Sequence, residues 1–299
     1  MKVLILGGGG TLGAFSAGAL SALDAQGFEP DAVIGSSAGG INLLRWYPAG
    51  GAAEARRFWK ENARFRTLAR GLIHGRNLSD GILNAEWFRR RVEEGVDFEQ
   101  LLQDRRNLAF LVVDLATGRV SVRGNRTETT AEALRAVSRA AYALPPLLPP
   151  VALGGTMLAD GGLLHNAPLN AALKLGATSI LYVCNVQALP KVGFEAPSTI
   201  RSSWRYAEIF FRRASNVGFV DAEIADGRFR KVPFLAITPP ANLAFGSVLR
   251  WMVPTVDAVQ YLIDSGQDAA GRAYAQWKTS AFKPASRMDG ARLSNRTLG

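Results

Sequence analysis

One cysteine, Cys184, stands in the whole chain, inside the apolar run ILYVC at 180–184. An intramolecular disulfide is therefore excluded, as is a structural zinc site built on cysteine pairs, and a reducing compartment is compatible with that usage. Histidine is almost as scarce: with only His74 and His165, a Ser-His-Asp triad would have to recruit one of the two. No apolar stretch approaches the roughly 20 residues of a membrane-spanning helix, and the N-terminal MKVLIL is much shorter than a secretory apolar segment. No Asp-rich loop of the calcium-binding type, internal repeat or low-complexity tract is evident. We expect a cytoplasmic protein whose only membrane contact is peripheral, with no cofactor and no metal.

Of the 299 residues, 48% are hydrophobic and 20% charged, enough for a substantial core. The Pro-rich ALPPLLPPVAL at 143–153 is too apolar for a solvated linker and reads as a packed connection. A single domain over 1–278 with a polar, aperiodic tail at 279–299 is the expected organisation. The excess of 35 Lys+Arg over 25 Asp+Glu, a net charge of +10, favours anionic partners such as nucleic acid or acidic headgroups without choosing between them.

VLIL at 3–6 reads as a buried strand, GGGG at 7–10 as a turn, residues 14–27 as a helix ended by Gly27, and Ala32–Ile34 as a second strand. Strand, glycine turn, helix, strand is a βαβ unit, which predicts an α/β fold with a partly parallel sheet. A basic amphipathic helix is expected over 53–72, a strand over 108–114 with a hairpin at ATGR 116–119, and a helix over 130–141 stopped before Pro145. Two short strands around Gly154 and Gly155 lead to Asp160. A helix at 168–175, strands at 179–183 and 230–238 and a last helix at 255–265 complete the reading.

Three stretches carry chemistry. In Gly35-Ser36-Ser37-Ala38-Gly39 the pattern G-x-S-x-G exposes the middle hydroxyl on a sharp strand-to-helix turn, where the helix dipole favours negative charge. A plain glycine turn with Ser36 or Ser37 as helix cap fits the same residues. In LGGGGTLG at 6–13 successive glycines bring backbone amides close to a ligand, which suits an oxyanion hole or a phosphate cradle. Gly8, Gly10 and Gly13 also satisfy the dinucleotide pattern G-x-G-x-x-G, but the acid that should follow the second strand is missing, because Glu29 and Asp31 precede it. In MLADGGLLHNAP at 157–168, Asp160 leaves a strand into Gly161 and Gly162, and a serine that follows only the second strand pairs better with a carboxylate base than with a triad. The competing reading makes Asp160 an Asx-turn residue. His165 reads as a helix-start residue, since no second His or carboxylate spacing makes a metal set. An aspartate at its ordinary pKa near 3.9 is a weak base at neutral pH, so proximity must compensate.

Together, GGGGTLG, GSSAG and DGG, with SRAAYALPPLLPPV and DGGLLHNAPLNAALKLGATSILYV around the aspartate, closely resemble the patatin-like phospholipase family over roughly residues 2–187. The resemblance implies a three-layer α/β/α fold with a central, mostly parallel sheet, a Ser37–Asp160 dyad, an oxyanion loop of Gly8, Gly9 and Gly10, and hydrolysis of acyl esters of lipids through an acyl-enzyme. Gly35, Gly39, Gly161 and Gly162 support the motifs. The family's loop usually carries Arg or Lys before its last glycine, and this chain has Leu12.

FWKENARFRTLAR at 58–70 and RSSWRYAEIFFRRA at 201–214 mix arginines with aromatics. They read as surface helices with apolar stripes in the core, or as interfacial segments against an anionic membrane; nucleic acid fits least. LAFGSVLRWMV at 243–253 is either buried or lines an acyl-chain cleft. An acyltransferase using the same acyl-enzyme, or a lipid-binding protein without turnover, stands beside the hydrolase reading.

Overall fold

A computed structural model describes residues 1–47, 50–63, 81, 83–165, 167–186, 224–225, 227–240 and 255–281. The first unit is the expected one: β1 (Lys2–Leu6), a 3₁₀ turn at Gly10–Leu12, α1 (Gly13–Ala25), β2 (Ala32–Gly35) and α2 (Ala38–Trp46). Then come α3 (Ala52–Asn62), α4 (Ala85–Glu93), α5 (Phe98–Gln103), β3 (Asn107–Asp114), β4 (Val120–Gly124), α6 (Ala131–Ala140), β5 (Val151–Leu153) and β6 (Thr156–Asp160). The later elements are α7 (Gly162–His165), α8 (Leu169–Lys174), β7 (Ser179–Val183), β8 (Ile224–Ala225), β9 (Arg228–Phe229), β10 (Val232–Ile237) and α9 (Val256–Ala281).

Five parallel strands, in the order β3-β2-β1-β7-β10, form the centre of the sheet. Strands covered on both faces need apolar residues at every position rather than at alternate ones, which is why KVLIL, AVIG and SILYV read as continuous runs. The margins are antiparallel: β9 and β8 beyond β10, and β4, β6 and β5 around β3. Alternating side chains serve two cores. Leu4, Leu6, Val33, Phe110 and Val112 pack with α1, α2, α3, α6 and α9 in the larger one. Val3, Ile5, Ile34, Ile180 and Tyr182 meet Leu169 and Ala172 of α8 in the smaller. The result is the expected α/β/α layering with unequal outer layers.

The partners of β3 position the site. β4 lies along Ala109–Val113 on one edge of β3. The opposite edge is divided, with β2 taking Asn107 to Phe110 and β6 taking Val112 to Asp114. Because β2 is parallel to β3 and β6 antiparallel, the C-terminal ends of β2 and β6 point at each other across Leu111. Gly35 ends the first and Asp160 the second.

Several expectations change. The last helix does not stop near 265 but continues to Ala281, past the expected start of the tail at 279. Gly266, just past the expected end, is a contact residue: a Cβ there would lie 2.0 Å from the Phe15 carbonyl oxygen, and one on Gly18 1.9 Å from that of Ile263. α1 and α9 therefore meet backbone to backbone. His165 ends α7 rather than starting a helix. Helices α4 and α5 went unread although each begins with a side-chain cap, Asn84 accepting from the Trp87 amide and Asp97 from that of Gln100 (both 3.0 Å). The stretches at 64–72, 201–214 and 243–253 and the end of the tail lie outside the described residues.

Candidate active site

Both glycines around the serine turn are required by space. A Cβ on Gly35 would sit 2.7 Å from Cα of Gly40, and one on Gly39 only 2.0 Å from the Leu6 carbonyl oxygen and 2.9 Å from that of Gly7. The chain thus folds back on itself after β2, and α2 passes over the end of β1 with no room for a side chain. Ser37, at the tip, has φ 51° and ψ −123°, a strained backbone for a residue with a side chain, costing on the order of 1–3 kcal/mol. It occupies the cap position of α2, but its hydroxyl makes no cap bond and instead lies close enough to the Asp160 carboxyl to lower its pKa. Ser37 is half-buried, and its amide donates to the Ala141 carbonyl at 2.8 Å.

Asp160 is only 5% exposed. Its Oδ1 accepts from the Gly162 amide at 2.8 Å, so it does organise its own glycine turn while also lying beside the serine. Its own amide donates to the Ala143 carbonyl at 2.9 Å. Gly161 crosses β3 closely: a Cβ there would lie 3.0 Å from the Val112 carbonyl carbon. Burial pushes the Asp160 carboxyl up to about 7, with the nearby Ser37 hydroxyl and the Gly162 amide acting in the opposite sense. The carboxyl thus departs from the expected ordinary range: removal from water moves its titration toward neutral pH.

The glycine loop leaves β1 at Gly7, whose amide donates to Val183 O at 3.0 Å. Gly9 has φ 149° and Gly10 φ 56°, left-handed conformations that glycine adopts readily. Gly8 and Gly9 are buried and Gly10 is exposed. Among the described residues the amides of Gly9 and Gly10 meet no acceptor. Leu12 buries its side chain in the larger core, where no basic head would be accommodated without a partner. The dinucleotide reading fails on position, since Asp31 precedes β2 and spends its carboxylate on the Lys2 amide (2.6 Å) at the opposite end of the strand from the loop. Among the described residues no group of three His, Cys, Asp or Glu side chains could hold a metal ion. Burial lowers the His165 pKa.

A profile described as patatin-like phospholipase matches residues 4–173, more than half of the chain. The chain belongs to the patatin-like phospholipase family. Lysophospholipase NTE1 of the yeast Meyerozyma guilliermondii is 29% identical over 192 residues, which cover 60% of this chain and 12% of that much longer protein. Among solved structures, the type III effector ExoU is similar at 14% identity and a TM-score of 0.43, covering 92% of this chain and 53% of ExoU. VipD from Legionella pneumophila is similar at 14% identity and a TM-score of 0.38, covering 89% and 67%.

Two buried amides next to the glycine loop went unread in the sequence, Asn185 and Asn42. Asn185 directly follows the apolar run of β7 at the end of the strand where the glycine loop lies, and a polar residue immediately after a buried strand is the signal that points to it.

Proposed function

We propose that the chain hydrolyses acyl esters of lipids, with Ser37 as nucleophile and Asp160 as general base. The observation that carries this reading is the juxtaposition of the half-buried Ser37 hydroxyl with a buried carboxyl group raised to about pKa 7, the two residues meeting where β2 and β6 end on β3; family membership supports the substrate class. The ionised Asp160 takes the hydroxyl proton as Oγ attacks the ester carbonyl. The amides of Gly9 and Gly10, with Gly8 alongside, receive the charge that forms on the carbonyl oxygen. Collapse of the tetrahedral species breaks the ester bond, and the departing alcohol takes the proton from Asp160. Water then attacks the acylated serine, giving a proton to Asp160. That proton returns to Ser37 as the carboxylic acid leaves.

Only Asp160 needs to carry the proton, so neither histidine has a role in the scheme. The net charge of +10 fits peripheral contact with anionic membrane, and among the described residues no helix is long and apolar enough to cross one. The test is a panel of phospholipids, lysophospholipids and acylglycerols presented to the wild type and to Ser37→Ala. Release of fatty acid by the first alone is expected. Equal release by both, or by neither, rejects the reading, and acyl groups appearing on an added alcohol instead of in free acid would make it a transferase.

A further inference from the structure

The glycine loop is pinned at both ends by buried side-chain amides. At its start, Asn185, 1% exposed, donates from Nδ2 to the Gly7 carbonyl oxygen at 2.7 Å. Because a carbonyl can only accept, Nδ2 is the end that faces the loop, and Oδ1 accepts from Ser16 Oγ of α1 at 2.6 Å, which holds the amide in place. Its Cβ lies 3.0 Å from where a Cβ on Gly9 would be, so the side chain also packs on that buried glycine. At the far end, Asn42 of α2 donates to the Gly13 carbonyl at 2.8 Å and accepts from Trp59 Nε1 at 2.7 Å. Each amide uses both ends of its side chain, one on the loop and one on a neighbouring helix.

Peptide planarity turns these bonds into directions. In a trans peptide the carbonyl of Gly7 and the N–H of Gly8 lie in one plane and point oppositely, so a donor fixed on Gly7 O also fixes the plane on which the loop begins. A run of glycines has no side chains to hold it and would otherwise sample many orientations. Neither amide is explained by packing alone, since a leucine would fill either site without needing the two hydrogen-bond partners each amide has.

We propose that Asn185 is a positioning residue for the oxyanion loop, setting the direction of the Gly8–Gly10 amides through the Gly7 carbonyl, with Asn42 anchoring the loop's exit to the helix that carries Ser37. This rests on the hydrolase reading above. Loss of the anchor acts on the transition state, in which the oxygen is charged, and hardly on substrate binding.

The experiment compares wild type, Asn185→Leu and Ser16→Ala on a p-nitrophenyl acyl ester, with active serines counted by fluorophosphonate titration. Asn185→Leu is expected to lower kcat per titrated serine about 10- to 100-fold with little change in KM, the scale of misplacing a catalytic group by about an ångström. Ser16→Ala keeps the donor but frees its orientation, and a smaller fall in kcat with unchanged KM is expected. Should Asn185→Leu fail to fold, Ser16→Ala decides. Wild-type kcat per titrated serine in Ser16→Ala, and in Asn185→Leu where it folds, overturns the proposal even if thermal stability drops. A wild type that cannot be titrated at all overturns the hydrolase reading instead, so the two failures are distinct.

Discussion

Ser37 and Asp160 are suspended from one short segment: the Ser37 amide donates to the carbonyl of Ala141 and the Asp160 amide to that of Ala143, at 2.8 and 2.9 Å. Two residues 123 positions apart in sequence are thereby referred to the same stretch of backbone, just after α6. Between the two carbonyls stands Tyr142, buried, its ring edge-on to Phe88 at 5.8 Å and its hydroxyl without a partner among the described residues. The ring should matter and the hydroxyl should not. Tyr142→Phe is expected to be neutral or to stabilise by up to about 1 kcal/mol, because an unpaired buried hydroxyl is removed. Tyr142→Ala should cost about 3–5 kcal/mol through the cavity it leaves and lower kcat. Denaturant unfolding of the two variants checks the contrast.

The pH dependence of turnover follows from Asp160. As the proposed base it must be ionised, and burial has raised its pKa to about 7. The kcat/KM for a neutral ester should rise with pH, about tenfold per unit on the acid side, and level off above a midpoint near 7. A midpoint in the ordinary carboxylate range would mean that another group, or a solvated carboxylate, limits the rate.

The same shift has a consequence for stability with a definite sign. The folded protein holds the Asp160 proton up to about pH 7, whereas the unfolded chain releases it near 3.8, so folding is favoured in acid and this contribution is lost as the pH rises between those values. Asp160→Asn, which keeps an oxygen acceptor for the Gly162 amide, should match the wild type in stability below pH 4 and exceed it by a few kcal/mol above pH 7. Thermal melts across that range measure the difference. A variant less stable than wild type at pH 8 would contradict a destabilised carboxylate.

Glycine replacements separate the site from the scaffold. Adding a methyl group at Gly39 forces α2 away from the end of β1, and adding one at Gly266 forces α9 away from α1. Both should destabilise by at least about 1–3 kcal/mol. Only Gly39→Ala, which moves the serine turn, should also lower kcat per active serine; Gly266→Ala should leave it near wild type. Unfolding curves paired with titrated turnover distinguish them.

The βαβ start, the antiparallel strands leading to Asp160 and the glycine turns were legible because each rests on local chemistry: continuous apolar runs for covered strands, and glycine where backbone passes backbone. What could not be read is long-range. That β6 takes over the edge of β3 that β2 vacates, bringing Asp160 to Ser37, depends on which strand stops where. The raised pKa of Asp160 depends on burial by residues distant in sequence. That Gly266 serves a helix contact inside α9 cannot be told from its letter, since a contact glycine and a terminating one look alike in sequence. Asn185 and Asn42 carry no motif, and each acts through a single backbone carbonyl.

The central claim is that the Ser37 hydroxyl is the group that becomes acylated. Incubation of the wild type with a fluorophosphonate, followed by peptide mass spectrometry, should find the adduct on the Ser37 peptide at one per chain, with Ser37→Ala unmodified and Asp160→Asn modified far more slowly. An adduct on any other residue, or undiminished modification of Ser37→Ala, contradicts it.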